Sequence, residues 1–300
     1  MKRSLILLTT LFMVTAPNTW GNDASVSLES QIQQIEALFP NELRPAQRIM
    51  ERLLKSHPEH PEVNYYCGMI YGLRAGEGML SAMRNAPKSR KCTEKAVSLE
   101  PTNMKYQLAA LNYYLNAPGV VGGGEDKARA KATEIAALDA LQGTLAQLRV
   151  VNVFDTENYT TALTEAVATH PNEPRLELRL GLQKQSEGDY ASAHVLFMQA
   201  ATELSEDSEL RAAQLNARYQ VGRNAVFSGE YIQEGIDSME RYIQAFDTTL
   251  EIPELPWAHA RMAQLMKIAD DPAGLERHRQ LAMQLGRAND EALYNLLAAL

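Results

Sequence analysis

Three groups of residues in this 300-residue chain have the types that chemistry uses. His57-Pro58-Glu59-His60, followed by Glu62, offers two imidazoles and two carboxylates. A metal needs three or four convergent ligands. Prolines at 58 and 61 mark a turn that splays these side chains, so no metal is expected. Gly119-Val120-Val121-Gly122-Gly123-Gly124 precedes a helix expected to begin near Glu125, an order that can cradle phosphate. A phosphate loop needs Lys and Ser or Thr after its last glycine, whereas Glu125-Asp126 stand here and repel an anion. His170, His194, His259 and His278 are scattered, and none sits in a local motif with a nucleophile. No catalytic site and no cofactor are expected. Cys67 and Cys92 are the only cysteines. They either pair, as cysteines do in an oxidising compartment, or serve as two small buried hydrophobes.

The compartment is read from the N-terminus. Lys2 and Arg3 precede an uncharged, mostly apolar run from Ser4 to Ala16. Pro17 breaks it, and Thr19-Trp20-Gly21 places small residues around a cleavage position. This is the pattern of a secretory signal peptide over 1–21, too short for a membrane span. Cleavage after Gly21 or Ala24 is expected, leaving 22–300 as a soluble periplasmic or secreted product. The formal charge of −8 becomes 27 basic against 37 acidic residues once Lys2 and Arg3 are removed. A mildly acidic chain argues against nucleic acid and anionic lipid surfaces as partners.

The rest of the chain, at 45% hydrophobic residues, is rich in Ala, Leu, Glu and Gln and has no strand-like alternation. Its internal repeats define the elements. Leu180-Gly181, then Gly188-Asp189-Tyr190, then Ala193, Phe197 and Ala200 form one unit. The first glycine permits close approach of two helices, Gly188 permits a left-handed turn, and the later steps of four and three residues share one buried face. Related sets occur at Ala46/Met50/Leu53, Cys67-Gly68/Tyr71/Ala96, Leu111/Tyr114/Ala128/Ala132 and Tyr159/Ala162. Others follow at Val221-Gly222/Gly229-Glu230-Tyr231 and Met262-Ala263/Leu275/Ala282. Gly181, Gly222 and Ala263 are 41 residues apart.

These landmarks resemble the tetratricopeptide repeat over about residues 30–285, most strongly at 180–200 and least at 141–171. The resemblance implies an all-α, right-handed α-solenoid of about six helix pairs, with Glu291 to Leu300 as a C-terminal cap helix. Two stretches, at 72–90 and 117–124, are longer than the consensus and are read as insertions between paired helices. Together they resemble a group of exported bacterial tetratricopeptide proteins, which implies a fold and a compartment but no activity.

Such solenoids bind through their inner helices. Counting from the Leu-Gly landmark, the inner positions include Tyr65, Tyr219, Arg223, Phe227 and Trp257, of types that often dominate interfaces. Leu178, Leu182, Gln185 and Gln264 join them. The aromatics either line a groove or pack between neighbouring helices. The expected function is a periplasmic adaptor or assembly factor that takes a protein or peptide segment in this groove. The alternative is an envelope enzyme or carbohydrate-binding module with its site at the insertions.

Overall fold

A computed structural model describes residues 27–300, all of whose regular elements are helices. The signal-peptide reading of 1–21 and its cleavage positions lie outside the described residues. The chain divides into two compact units at Glu100/Pro101.

In the first unit, α1 (Leu28–Leu38) pairs with α2 (Leu43–Ser56), and α3 (Pro61–Ala75) with α4 (Met79–Leu99). Ile35, Met50, Leu53, Val63 and Ile70 form its core. The stretch 72–90 is not an inserted loop, which corrects the sequence reading. Gly72 lies inside α3, Pro87 lies inside α4, and only Gly76–Gly78 turns the chain. Gly72 is tolerated because α4 crosses close by, with Ser89 Oγ 3.3 Å from where a Cβ would stand. Pro87 removes one helical hydrogen bond, but on the exposed face, where water can satisfy the freed carbonyl.

The second unit contains α5 (Met104–Asn116), α6 (Glu125–Leu138), α7 (Ala140–Phe154), α8 (Tyr159–Thr169), α9 (Pro174–Ser186) and α10 (Tyr190–Ala200). It continues with α11 (Ser208–Ser228), α12 (Ile232–Gln244), α13 (Leu255–Ile268), α14 (Pro272–Leu285) and α15 (Glu291–Ala298). Each odd-numbered helix from α5 to α13 packs on the next even one, and α15 caps α13 and α14. Among the described residues of both units this makes seven pairs, the weakly marked 141–171 stretch supplying α7 and α8. Side-chain caps from Asp139, Asp189, Asp207, Asp271 and Asp290 satisfy amides at helix starts.

Close approach within pairs has a repeated cause. A Cβ on Gly181 would lie 2.5 Å from Phe197 Cε1, and one on Gly222 would lie 2.5 Å from Met239 Cε. The helices meet where only hydrogen fits. Phe197 is fully buried with Leu178, Ala193 and Ala217. Along α9, α11 and α13, the same close packing fixes the rotation of each helix and hence which side chains face outward.

Candidate functional site

The residues first considered for chemistry resolve simply. The glycine loop consumes its own amides: Gly124 N–H donates to Tyr114 O at 2.9 Å and Gly123 N–H to Pro118 O at 3.2 Å. Lys127 Nζ donates to Gly122 O, closing the loop on itself. His57 Nδ1 lies 2.8 Å from the Ser56 hydroxyl. Among the described residues no group of three or more His, Cys, Asp or Glu could hold a metal. Cys67 and Cys92 form a disulfide between α3 and α4, with Cα atoms 5.7 Å apart.

The five inner-face candidates divide. Tyr65 is half-buried in the first unit, edge-on to Tyr66 at 5.1 Å. Tyr219 is core: only 5% exposed, it packs edge-on against Tyr242 at 5.5 Å, beside Met239 and Met262. Its placement on the groove is corrected, because α11 is covered on almost every side and buries Tyr219 with Leu215 and Ala225.

Phe227, by contrast, is exposed, and half-buried Arg223 and Trp257 belong with it to one cluster that includes Arg261. The Arg223 guanidinium stacks 4.6 Å from the Phe227 ring centre, and Arg261 lies 5.4 Å from the same ring. Arg261 also faces Trp257 at 5.8 Å, and Trp257 Nε1 donates to Asp290 Oδ2 at 3.1 Å. Phe227 remains 40% exposed despite two cations on it.

A relay of amides holds Arg223. Buried Asn224 donates to Tyr190 O at 2.9 Å and accepts from Gln185 Nε2 at 3.1 Å. That fixes which end of Gln185 presents its oxygen, and Arg223 Nη1 donates to it at 2.6 Å. Gln220 accepts a second bond from Arg223 at 3.2 Å, and Gln264 accepts from Arg261 at 2.7 Å. Neutral amides, and not carboxylates, therefore position both guanidinium groups.

Neither arginine has a carboxylate within ion-pair distance among the described residues. Burial, and then the neighbouring Arg261, lower the Arg223 pKa from its ordinary value. Arg261 Nε is buried without a hydrogen-bond partner. Arg149 on α7 repeats the theme. Burial and then Arg179 lower its pKa, while it donates to Asn112 at 3.0 Å. Arg179 also borders an open cleft of about 520 Å³ between α9, the start of α11 and the 249–251 segment, where Arg175, Glu209 and Glu251 line it as well. Like charges held together and half-buried destabilise a free protein, and an arriving anion would relieve that strain.

Sequence reasoning named Gln185 and Gln264 but missed Arg149, Arg179 and Arg261. The 41-residue register carried a signal for two of them. Arg179 and Arg261 each stand two residues before the small landmark residue, Gly181 or Ala263, and Gln220 holds that place before Gly222.

One buried pair was also missed. His259 on α13 and His278 on α14, each 7% exposed, meet Nδ1 to Nδ1 at 3.0 Å. Arg277 Nη2 donates to His278 Nε2 at 3.2 Å, so His278 must donate from Nδ1 and His259 must accept. Both rings are then neutral. Burial pushes both pKa values down, that of His278 to about 4 with further help from His259 and Arg277.

The fold is that of tetratricopeptide-repeat proteins. The chain is similar over 91% of its length to a chain of the APC/C hetero-tetramer Cut9-Hcn1, with TM-score 0.52 and 15% identity. It is similar over 89% of its length to a monomeric IFIT1 mutant with Gppp-AAAA, with TM-score 0.50 and 14% identity. A tetratricopeptide repeat protein from Parabacteroides merdae covers 90% of this chain and is itself 97% covered, at TM-score 0.44 and 11% identity. The chain spans 49% of the first of these structures and 61% of the second, and the likeness is one of fold. No family model matches the chain, and no curated protein matches it in sequence. No helix among the described residues is long and apolar enough to cross a membrane.

Proposed function

We propose that this chain is a periplasmic adaptor or assembly factor that acts by binding and not by catalysis, and that α9, α11 and α13 hold an acidic, extended segment of a protein partner. The observation that carries the reading is the Arg223–Phe227–Arg261–Trp257 cluster. Two guanidinium groups, held by neutral amides and lacking carboxylates, flank an exposed aromatic ring in a unit of 17 basic and 27 acidic residues. Unpaired cations on a fixed scaffold select carboxylates, and the exposed Phe227 ring supplies apolar area at little entropic cost. The tetratricopeptide fold supports a role in protein–protein interaction, and the signal-peptide pattern supports the compartment.

The test is affinity capture from envelope extract, run in parallel with wild type and the Arg223→Ala/Arg261→Ala double variant. The reading expects a small set of proteins retained by wild type and lost from the variant at equal folded fraction. An identical set from both would move the site elsewhere.

A further inference from the structure

The first unit carries a surface that the groove reading leaves unused. Met79 and Leu80 are each 81% exposed and Met83 is 68% exposed, all on the first turns of α4, just after the Gly76–Gly78 turn. Exposed apolar residues are ordinary when scattered, but three flexible ones projecting together from a convex helix start are not.

The same face of α4 then turns basic. Steps of three and four residues bring Leu80, Met83, Arg84, Pro87, Lys88 and Lys91 into one exposed strip. The helix has five basic residues and one acid, Glu94, which lies 3.8 Å from Arg90. The other nearby acids are also engaged, Glu77 by Arg74, Glu59 by Lys95, and Glu51 by Gln47 and Tyr71 with Lys88 close enough to act on it. Lys88 sits 4.8 Å over the Tyr71 ring, while Arg84 and Lys91 have no ion-pair partner among the described residues. At 1.5 Å per residue, Arg84 lies about 6 Å and Lys88 about 12 Å behind Leu80 along the axis.

We infer that the N-terminal end of α4 docks on an anionic lipid surface. The apolar tip enters the acyl boundary, and the cations behind it meet the phosphates. Interfacial helices bury an apolar face about 5–10 Å into the headgroup–acyl boundary and keep basic residues at the phosphates, and the strip from Leu80 to Lys91 offers that pairing on one face of α4. Charge complementarity selects this occupant over a folded protein, because a protruding tip needs a surface that yields. The acidity of the whole chain had argued against such lipids, but that charge is uneven. Residues 27–100 hold ten basic and nine acidic side chains, and the acidic excess belongs to 101–300.

The test is co-flotation of the full chain with vesicles of phosphatidylglycerol and phosphatidylcholine, against phosphatidylcholine alone. Variants Leu80→Asp/Met83→Asp and Arg84→Glu/Lys91→Glu share its N-terminus, so any lipid affinity of that segment is common to all. Flotation should require phosphatidylglycerol, fall as salt rises, and drop at least tenfold in each variant, at about fivefold per cation near the surface. A Leu80→Trp reporter in a Trp20→Phe/Trp257→Phe background should shift its emission to the blue on binding. These side chains are exposed, so thermal unfolding should stay unchanged and separate lost binding from lost fold. Flotation of both variants equal to that of wild type, or a Leu80→Trp reporter whose emission stays that of a solvent-exposed indole, would overturn the inference. So would capture of an acidic polypeptide or a second copy through this face without vesicle binding. None of these results bears on the groove in the second unit.

Discussion

The two units hold themselves together differently. The first has four helices, near-balanced charge and one covalent brace, with Cys67 on α3 tied to Cys92 on α4. Beside it, Ser89 Oγ donates to Gly68 O at 2.7 Å, and a Cβ on Gly68 would stand 2.2 Å from Thr93 Oγ1. The second has eleven helices, no cysteine and an acidic excess, and gains its stability from successive stacked cores. A small domain buries a smaller share of its surface and benefits most from a staple, whereas a repeat array adds stability with each neighbour. Polar devices follow the same division. The second unit, with several successive cores in place of one, carries the half-buried like charges and the buried imidazole pair.

The largest expected effect lies in the second unit. Phe197→Ala should cost about 3–5 kcal/mol through the cavity it leaves beside Gly181, read as a lowered denaturation midpoint. Tyr219→Ala should cost a similar amount, since its ring is core. A Tyr219→Ala protein as stable as wild type would return that residue to the groove.

Removing the staple should be nearly as costly but confined to the first unit. The disulfide closes a loop of sequence separation 25, so Cys67→Ala/Cys92→Ala should lose about 3 kcal/mol on the chain-entropy account. Hydrogen exchange should rise in 27–100 and stay unchanged in 101–300. Equal loss of protection in both units would erase the contrast drawn between them.

Acid should act on the second unit. Both folded imidazole pKa values lie below the ordinary value of 6.5, so folding favours the neutral rings. The stability they contribute is complete above that value and is lost as pH falls through the folded pKa, about 4 for His278. Melting at stepped pH should show this loss, and His259→Phe should flatten it. An unchanged slope in that variant would remove the histidine pair from the account.

Much of the fold could be read from residues such as Gly181 and Phe197, whose spacing states which helix touches which. The same logic failed where punctuation was taken at face value. Gly72 and Pro87 read as loop residues, yet one packs against a neighbouring helix and the other faces water, so neither breaks its helix. The site was less legible. A helix buried on most sides, such as α11, gives no contrast by which a register count separates Tyr219 from Arg223. Arg261 looks like any solvated cation until the structure shows Phe227 beside it and no carboxylate in reach. What identifies the cluster is an absence of counter-charge in three dimensions, which no one-dimensional pattern encodes.

The smallest expected effect on stability comes from the cluster itself. Arg223→Ala and Arg261→Ala should each cost no more than about 1–2 kcal/mol of stability, because relief of the like-charge repulsion offsets part of the hydrogen bonds lost to Gln185, Gln220 and Gln264. Either should nevertheless weaken binding by about 1–3 kcal/mol. Trp257, beside Arg261, reports on occupancy, and Trp20→Phe removes the other tryptophan. The decisive measurement is Trp257 emission in that background, titrated with a poly-glutamate peptide and with poly-lysine as control. A saturable change with poly-glutamate alone, abolished in Arg223→Ala/Arg261→Ala while that variant stays fully folded at the titration temperature, is the predicted result. No saturable response, or one that survives in the double variant, would contradict an acid-binding groove on α9, α11 and α13.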